Sequence, residues 1–439
     1  MNVPLKRITT GTDLPKQADV VVIGGGIVGT STAYYLAQRG VKVVLLEKGQ
    51  IAAEQSSRNW GWCRQQNRDA RELPIATKSL ALWDNMAAEI NETVGFRRCG
   101  LMYLSDDPAE LEGWARWRNF AKTEGIVTHM LSGAEATERG MATGRAWRGG
   151  VFSPLDGTAD PCIAVPVIAK GVQQRGGIVM QNCAARGLEL AAGKVSAVVT
   201  ELGVIKTSSV VMAGGAWASS FLNQQGLRFP QASVRSSSLA MDAGANLPDA
   251  VHTKDVSITK RSDGRYTVAI SGLARVDPTP QQLRFASTFL PMFFKRRKSL
   301  RPGGLQGMRS GHETLRKWKL DQQTPMEKNR ILNPKADPRQ IRETLRQVRK
   351  LFPTLSDTPM TAAWAGYIDS TPDGVPAIGE TGVPGLMLAA GFSGHGFGIG
   401  PGVGHMIADI LTGAVPIVDP RAYDPKRLEN GSWGKVAEF

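Results

Sequence analysis

The stretch that decides the fold is residues 19–47, which read DVVVIGGGIVGTSTAYYLAQRGVKVVLLE. Residues 20–23 are a short, unbroken run of β-branched side chains, as expected of a strand that is buried in a parallel sheet. A helix is predicted from the glycine-rich segment to about Gln38, and residues 41–46 are predicted to form a second strand. The order strand, glycine-rich turn, helix and strand indicates a nucleotide-binding α/β unit.

Three glycines and one acid in this stretch have separate expected roles. Gly24 permits the tight turn, Gly26 lets the backbone approach a pyrophosphate, and Gly29 lets the helix pack against the strand. The N-terminus of that helix offers unpaired N–H groups and a positive dipole end to phosphates. Glu47 can accept hydrogen bonds from ribose hydroxyls, and an acid at this position disfavours a 2′-phosphate. The motif therefore predicts FAD or NAD and leaves the choice between them open.

Composition and charge limit the functional classes. The 439 residues carry 53 Lys and Arg against 39 Asp and Glu, and the net charge of +14 suits nucleic acid, anionic lipid or an anionic substrate. No helix-turn-helix, RNA-binding or zinc-finger pattern accompanies this charge, so no nucleic-acid partner is expected. The four cysteines lie far apart without a CxxC pair, so no metal site is expected, and a reducing compartment such as the cytoplasm is favoured.

Two later segments indicate a ligand with two ends. One is VVMAGGAW at residues 210–217, where small residues follow a predicted strand and let the backbone approach a ligand. The other is GFSGHGFGIGPGVG at residues 391–404, a second glycine-rich turn between a strand and a helix. One end of the ligand is expected on the N-terminal glycines and the other end at this late turn.

These motifs, together with DGTADP at residues 156–161, resemble the FAD-dependent D-amino-acid oxidase superfamily, which includes glycine and sarcosine oxidases and amino-acid dehydrogenases. Within it, the strongest resemblance is to the membrane-associated L-amino acid deaminases of enteric bacteria. Two departures from those deaminases are expected: no apolar stretch is long enough for their transmembrane helix, and the loop after Arg58 differs from theirs. The matching stretches are IAAEQSSR (51–58), NCAARGLEL (182–190), VIKTSSVVMAGG (204–215) and TPMEKNR (324–330).

The resemblance implies an α/β fold in which a Rossmann-like FAD-binding domain is joined to a discontinuous α+β substrate domain with a mixed or antiparallel sheet. The substrate domain is expected to carry an insertion like that of the deaminases. The expected boundaries are 1–95, 150–235 and 355–439 for the FAD-binding domain, 96–149 and 236–354 for the substrate domain, and about 285–335 for the insertion.

The resemblance also implies that FAD binds non-covalently in an extended form. Its pyrophosphate would lie on the first glycine motif, and its ring would lie near residues 56–58 and under residues 393–397. Cys63 is interpreted as a buried neutral cysteine rather than as a flavin attachment point. The implied cofactor-binding residues are Gly24, Gly26, Ile27, Val28, Gly29, Glu47, Lys48, Ser56, Ser57, Arg58, Ala184, Ala185, Ala213, Gly214, Trp217, Gly391, Ser393, Gly394, His395, Gly396 and Phe397.

The activity that follows is oxidation of the C–N bond of an amino acid or N-substituted amino acid. Hydride transfer to flavin N5 would give an imine and then an oxo acid, and the electrons would pass to oxygen or the respiratory chain. Because the flavin itself would accept the hydride, no obligatory side-chain base is required. Two alternatives stay open: a flavin-dependent 2-hydroxy-acid dehydrogenase on the same fold, and a binding protein that has lost flavin chemistry.

The loop at residues 60–68 interleaves tryptophans with arginines. This pattern suits an active-site wall, ordinary packing or a nucleic-acid platform, and the preceding flavin motif favours the wall. Its arginines favour an acidic substrate, such as an amino dicarboxylate or an opine-like secondary amine. Arg275 and Tyr266 are further candidates to hold a substrate carboxylate, the arginine in a bidentate manner. The candidate catalytic residues are Trp60, Arg64, Arg275, Trp364, Tyr367 and His395.

Two of these candidates have open alternatives. The resemblance places the strand of Trp364 and Tyr367 beside the flavin ring, with a core tryptophan as the alternative for Trp364. His395 is expected to contact the ring or the substrate, or else to form a hydrogen bond within its turn.

Residues 289–301, FLPMFFKRRKSLR, place apolar side chains before a basic run. One interpretation is a peripheral contact with an anionic membrane surface, which would put the protein on the inner face of the cytoplasmic membrane. The other is an edge of the core followed by a solvated basic loop.

Overall fold

The computed structural model describes residues 4–242, 246–429, 431 and 433–437. Strands and helices are numbered along the chain. The strands are β1 (Val20–Ile23), β2 (Val43–Leu46), β3 (Trp62–Cys63), β4 (Leu101–Ser105), β5 (His129–Ser132), β6 (Gly149–Ser153), β7 (Gly157–Thr158), β8 (Ile178–Met180), β9 (Ala185–Ala191), β10 (Lys194–Thr200), β11 (Gly203–Lys206), β12 (Val210–Met212), β13 (Ala232–Met241), β14 (Ala250–His252), β15 (Ser257–Lys260), β16 (Tyr266–Ala269), β17 (Ala274–Val276), β18 (Leu300–Pro302), β19 (Met360–Ser370), β20 (Ala377–Glu380) and β21 (Leu386–Ala390).

The α-helices are α1 (Ile27–Gln38), α2 (Gln55–Arg58), α3 (Leu73–Ile90), α4 (Pro108–Thr123), α5 (Gly133–Gly140), α6 (Ala164–Gln174), α7 (Ala218–Gln224), α8 (Pro280–Arg284), α9 (Leu290–Arg296), α10 (Gln306–Ser310), α11 (Pro325–Lys328), α12 (Pro338–Leu351), α13 (Gly396–Thr412) and α14 (Lys426–Glu429). Short 3-10 helices span Gly215–Trp217, Pro353–Leu355 and Pro420–Tyr423.

A six-stranded sheet forms around the N-terminal unit. Its strand order is β20-β21-β12-β1-β2-β8, and neighbouring strands are parallel except for the antiparallel pair β20 and β21. All residues of β1 and β2 are buried, as their unbroken apolar runs predict, because a parallel sheet is covered on both faces. Helix α1 follows the glycines and packs against α6 and α13. The predicted α/β class is confirmed.

A ten-stranded mixed sheet forms the second large element. Its main path is β18-β17-β13-β16-β15-β14-β4-β6-β5, and β19 pairs with β13 in antiparallel register. Only the pairs β14–β4 and β17–β18 are parallel among its described ladders. The sheet includes β6 and β19. Most residues of these two strands lie in the ranges 150–235 and 355–439, which the sequence assigned to the FAD-binding domain. The residue boundaries of the two domains stay a prediction.

Strand β19 connects the two sheets. Its last residue, Ser370, forms a bridge with Phe392, which follows β21. The side chain of Asp369 accepts a hydrogen bond from the backbone N–H of Gly391 at 2.7 Å, and its carbonyl accepts one from the N–H of Ser393 at 2.8 Å. The turn that precedes α13 is therefore held where the two sheets meet.

The insertion predicted at residues 285–335 contacts more than the substrate domain. In its second half, the backbone carbonyl of Arg330 accepts a hydrogen bond from Lys48 Nζ at 2.7 Å. Glu327 pairs with Arg186 of β9 at 2.9 Å. The insertion therefore also packs against residues that follow β2 and against the three-stranded sheet β11-β10-β9.

Candidate functional site

Two adjoining clefts lie at the junction of the sheets. The first, which we call the glycine-loop cleft, is bordered by the turns after β1 and β12 and by the end of β2, and its empty space, including the part open to solvent, is about 1340 Å³. The second, the aromatic cleft, lies between the loop after α2, the ten-stranded sheet and the insertion, and its empty space, including the part open to solvent, is about 2650 Å³. Residues that line both clefts are Gln55, Arg58, Asn59, Ile368, Gly394 and Phe397.

The glycine loop is closed to larger side chains at two positions. Gly24 has a φ of +114°, and a Cβ there would lie 2.4 Å from the carbonyl oxygen of Ala213. A Cβ on Gly29 would lie 2.0 Å from the carbonyl oxygen of Gly24. Both contacts are with backbone, which cannot rotate away as a side chain would. These two glycines therefore allow β1, α1 and β12 to approach each other closely.

The N-terminus of α1 opens toward the glycine-loop cleft. Its N-cap is Gly26, which has no side chain to cap the helix, and the first turn contains no acid. Ser56 Oγ accepts a hydrogen bond from the N–H of Ile27 at 2.9 Å and lines the same cleft. A helix N-terminus whose N-cap is a glycine, beside a glycine turn, supplies its remaining N–H donors and a positive dipole end for phosphate oxygens. The residues present therefore fit the pyrophosphate of a dinucleotide.

Glu47 has a role that its sequence position did not predict. Its two carboxylate oxygens accept hydrogen bonds from the N–H groups of Gly25 at 2.8 Å and Gly49 at 2.7 Å. Burial raises the pKa of this carboxyl group. The side chain lines the glycine-loop cleft, where it can also meet a ribose. It therefore orders the glycine loop in addition to lining the cleft.

Most of the predicted cofactor-binding residues line the glycine-loop cleft. These are Gly24, Gly26, Ile27, Val28, Glu47, Lys48, Ser56, Arg58, Ala185, Ala213, Gly214, Trp217, Gly394, Gly396 and Phe397. Four others lie outside the lining of both clefts: Gly29, Ser57, Ala184 and Gly391. Ser393 and His395 line the aromatic cleft instead.

Sequence reasoning missed Glu54 and the contribution of the insertion to this cleft. Glu54 Oε1 accepts hydrogen bonds from Lys48 Nζ at 2.5 Å and from the N–H of Leu332 at 3.0 Å. Leu332 and Met326, both in the insertion, line the glycine-loop cleft. No local pattern marks these residues, because they meet only when the insertion folds back over the end of β2.

Arg58 is a structural side chain at the boundary of the clefts. Its guanidinium donates to the carbonyl of Ala365 at 2.6 Å, to Asn333 Oδ1 at 3.0 Å and to the carbonyl of Ala53 at 3.0 Å. It therefore ties α2 to β19 and to the insertion. Burial lowers the pKa of Arg58.

The loop after α2 forms one wall of the aromatic cleft. Trp60 and Trp62 both line it, with ring centroids 5.2 Å apart in an edge-to-face arrangement. Trp62 Nε1 donates to Thr259 Oγ1 at 2.7 Å, which fixes the indole against the ten-stranded sheet. Cys63 is fully buried, and burial raises the pKa of its thiol well above the usual value. A neutral buried thiol agrees with non-covalent cofactor binding.

Arg64 and Arg68 make one end of the aromatic cleft basic. Arg68 is 2% exposed, and its Nη1 has no hydrogen-bond partner among the described residues. Burial, together with the charge of Arg64, lowers the pKa of Arg68 to about 10, which keeps it cationic at neutral pH. No Asp or Glu is among the described residues that line this cleft. An anionic group is therefore the natural ligand of this end.

His395 also lines the aromatic cleft, beside these arginines. Its Nδ1 lies 2.9 Å from Oε2 of Glu72, which precedes α3 and is fully buried. Burial, followed by the charge of Arg68, lowers the pKa of His395 to about 4. Burial alone would raise the pKa of Glu72, but the neighbouring His395 lowers it overall. The neutral imidazole of His395 is therefore hydrogen-bonded to the carboxylate of Glu72.

Tyr367 and Trp364 have different surroundings although both belong to β19. Tyr367 lines the glycine-loop cleft, and its hydroxyl donates to Asp277 Oδ2 at 3.1 Å. Asp277 is also paired with the buried Arg235 at 2.6 Å. Trp364 is 4% exposed, lines neither cleft, and donates from Nε1 to the carbonyl of Arg58 at 3.0 Å. It is a packed core tryptophan that supports α2 from behind.

The structure places Arg275 and Tyr266 away from the substrate position that sequence reasoning suggested. In β17, Ala274 and Val276 line the aromatic cleft, so strand alternation turns Arg275 to the opposite face. There it pairs with Asp337 and donates to the carbonyl of Pro302 at 2.9 Å. Tyr266 is buried and exchanges hydrogen bonds with the backbone of Leu247. The basic end of the cleft comes instead from Arg64 and Arg68.

No cluster of His, Cys, Asp or Glu suited to a metal ion occurs within the ranges that the structure describes.

Comparisons with known proteins agree with this geometry. A family profile described as "FAD dependent oxidoreductase" matches residues 19–410. Mitochondrial sarcosine dehydrogenase of Mus musculus is 26% identical over 95% of this chain, and the chain spans 42% of that longer relative. Glycine oxidase of Pseudomonas aeruginosa is 25% identical over 92% of this chain and 98% of its own length. The structure of L-amino acid deaminase from Proteus myxofaciens in complex with anthranilate is similar with a TM-score of 0.92, 28% identity and 96% coverage of both chains.

Proposed function

The chain belongs to the FAD-dependent oxidoreductase family, and on that premise we propose that it oxidises the C–N bond of an amino acid or N-substituted amino acid. One observation carries the proposal. A cleft whose basic end is formed by Arg64 and Arg68 adjoins the cofactor cleft at Gly394 and Phe397. A carboxylate at the basic end leaves the neighbouring carbon and amine free to approach that boundary.

The residues of the chain would orient and enclose the substrate. FAD, when bound, supplies the two-electron acceptor. Arg64 and Arg68 bind the carboxylate, and the apolar wall around Trp60 and Trp62 excludes water from the reacting carbon. Because the carboxylate is anchored, its α-carbon is held in one place relative to the glycine-loop cleft.

We propose a large apolar or aromatic side chain for the substrate. Of the four arginines at residues 58–71, Arg58 is bound to carbonyl groups, and Arg71 pairs with Asp69 at 2.8 Å outside the aromatic cleft. The two that remain serve one carboxylate. The opposite wall is mainly apolar, with Phe289, Leu290 and Phe293 contributed by the insertion, and it also carries Arg296 from the end of α9. The charge of the loop alone therefore overstates the case for an acidic substrate.

Anaerobic bleaching of the flavin tests this function. The purified yellow protein is mixed with D- and L-amino acids, N-substituted amino acids, dicarboxylic amino acids and the matching 2-hydroxy acids. We expect apolar amino acids to abolish the flavin absorbance near 450 nm and their hydroxy analogues to leave this absorbance unchanged. Bleaching by hydroxy acids alone would support the hydroxy-acid dehydrogenase instead, and a colourless protein that releases no FAD would support the binding protein.

Readmission of air to the bleached enzyme separates the two proposed electron acceptors. Rapid return of colour with hydrogen peroxide formation indicates oxygen. Slow return in air, with fast return on addition of a quinone, indicates the respiratory chain.

We further propose peripheral membrane contact through α9 and the basic run that follows it. Phe293 and Phe294 are 48% and 57% exposed, and Lys298 and Arg301 follow them. Within the described ranges, no helix has the length and apolar character to cross a bilayer. An apolar side chain flanked by bases suits the surface of an anionic membrane.

We expect the protein to sediment with vesicles that contain anionic lipid at low salt, and Phe294→Ser to sediment less. Val415→Ser is the matched control, because Val415 is 90% exposed in another part of the chain. If wild-type protein stays in the supernatant at low salt, the membrane proposal fails.

A further inference from the structure

The pairing of His395 with Glu72 decides which ring nitrogen of His395 carries the proton and which carries the lone pair. Nδ1 of His395 lies 2.9 Å from the Glu72 carboxylate. Since Glu72 is ionised and can only accept, Nδ1 carries the proton and donates. Nε2 is then the nitrogen with a lone pair. His395 lines the aromatic cleft, so this lone pair is the acceptor that its ring offers there.

Burial and the two neighbouring arginines keep His395 neutral before substrate arrives, against the opposing charge of Glu72. The groups that act on it are Glu72 from the start of α3 and Arg68 and Arg64 from the loop before that helix. The arginines disfavour the protonated ring, and burial does so more strongly. A substrate carboxylate placed on the arginines would offset their charge. The proton affinity of Nε2 therefore increases when the site is filled.

Burying the carboxylate of Glu72 costs free energy that its position before α3 does not by itself explain. Its side chain is fully buried, and its Oε1 has no hydrogen-bond partner among the described residues. Burying an ionised carboxylate is costly unless a cation or hydrogen-bond donors compensate it. His395 provides one donor when neutral and a full countercharge when protonated. The carboxylate is therefore best compensated in the state in which His395 has taken up a proton.

An amino acid in water carries an ammonium group, whose nitrogen has no lone pair. Before the C–N bond can become a C=N bond, the nitrogen must lose one proton and keep the electron pair of that N–H bond. FAD, when bound, would supply the acceptor for the α-hydrogen and its two electrons, and the nitrogen pair would then form the C=N bond. The substrate thus loses one proton and one hydrogen with two electrons, and the first of these needs an acceptor.

We propose that Nε2 of His395, held in position by Glu72, accepts the proton that the substrate ammonium group loses. The inference rests on the proposed amino acid oxidation and adds to it a residue that the chemistry of flavin does not itself require. His395 is then a catalytic residue, and Glu72 is a positioning residue that fixes its tautomer and stabilises the imidazolium.

The test is the pH dependence of anaerobic flavin reduction in the FAD-loaded enzyme. We expect His395→Gln to slow reduction by about 10²-fold at pH 7, a typical size for loss of a positioned proton acceptor. The defect should shrink toward the pKa of the substrate amine, because free amine then binds directly and needs no acceptor. Glu72→Gln should show a smaller defect of the same form, and Glu72→Asp should restore part of the rate.

The matched control is His405→Gln. His405 lies on α13 nine residues beyond the start of that helix and pairs with Asp409 at 3.0 Å, and it lines neither cleft. It is therefore a second histidine–carboxylate pair on the same helix. We expect this variant to keep the wild-type rate and pH profile.

A binding measurement provides a readout independent of turnover. An analogue without an α-hydrogen cannot be oxidised, and its binding perturbs the flavin spectrum. In wild type, an amine on this analogue should strengthen binding relative to the same carboxylate without an amine. In His395→Gln that gain should disappear, while the amine-free carboxylate binds as before, which also shows that the site is folded.

A rate defect in His395→Gln that is equal at all pH values would overturn the proposal, as would an unchanged profile. An amine contribution to binding that survives in the variant would also overturn it. If no amino acid reduces wild-type enzyme at any pH, the proposed function fails instead, and the binding comparison still reports on His395.

Discussion

Arg68→Met is expected to lower kcat/KM for carboxylate-bearing substrates by about 10²-fold, or about 3 kcal/mol, because it removes one partner of a buried charge pair. Arg68 is 2% exposed, and its Nη1 lacks a partner among the described residues. A substrate carboxylate would therefore be a direct hydrogen-bond partner for Nη1, in addition to the more distant charges of Glu72 and Asp156 that already act on Arg68. Methionine retains the apolar stem and volume, so the loss should fall on the charge.

Steady-state kinetics with an amino acid and with its amide distinguishes this role from general damage. The amide lacks the negative charge, so Arg68→Met should affect it only a few-fold. Arg275→Met is the control, because Arg275 pairs with Asp337 on the far face of β17. We expect it to retain kcat/KM within a few-fold. If Arg275→Met and not Arg68→Met raised KM for the amino acid, our assignment of the carboxylate site would be wrong.

Gly29→Ala is expected to yield protein that has lost FAD. A Cβ at this position would lie 2.0 Å from the carbonyl oxygen of Gly24, which belongs to the turn proposed to approach the pyrophosphate. Helix α1 must move away from the turn, and its N-terminal N–H groups then leave their positions. The ratio of absorbance at 450 nm to that at 280 nm measures bound flavin, and thermal unfolding with and without added FAD measures how far the fold itself has weakened.

The control for this substitution is Gly113→Ala. Gly113 lies within α4, and the nearest atom to a Cβ there is Arg116 Nη2 at 3.8 Å. Alanine in an open helical position is expected to be neutral or to stabilise slightly. If the Gly29→Ala variant bound FAD with wild-type affinity, this result would contradict the close packing of α1 on the glycine turn.

The N-terminal unit could be predicted because its determinants are local. Residues 19–47 contain the strand pattern, the glycines and the helix in sequence order, and each is dictated by backbone geometry within a few residues. The late turn at residues 391–397 was recognisable for the same reason, since its glycines lie between a strand and a helix. The α/β class and a dinucleotide cofactor followed from these segments, and the resemblance of all four motifs to a known superfamily selected FAD.

The direction in which individual side chains point could not be predicted in the same way. Arg275 was expected to bind substrate, but its register in β17 turns it toward Asp337. A shift of one residue in a strand moves a side chain to the opposite face, and no local signal for that register was visible. For Trp364 the sequence left a position beside the ring and a core position open, and the structure packs its indole behind α2 against the carbonyl of Arg58.

The sequence by itself determined the class of fold and a dinucleotide cofactor, because the turn, strand and helix that hold a dinucleotide are encoded in contiguous residues, and the resemblance of the later motifs selected FAD. Only the tertiary structure decided the chemistry offered to the substrate. His395 meets Glu72 across 323 positions of the chain, and Arg68 faces the aromatic cleft while Arg58 and Arg71 of the same segment do not serve its basic end. Burial and pairing of this kind arise from the packing of distant elements, which no short stretch of sequence specifies.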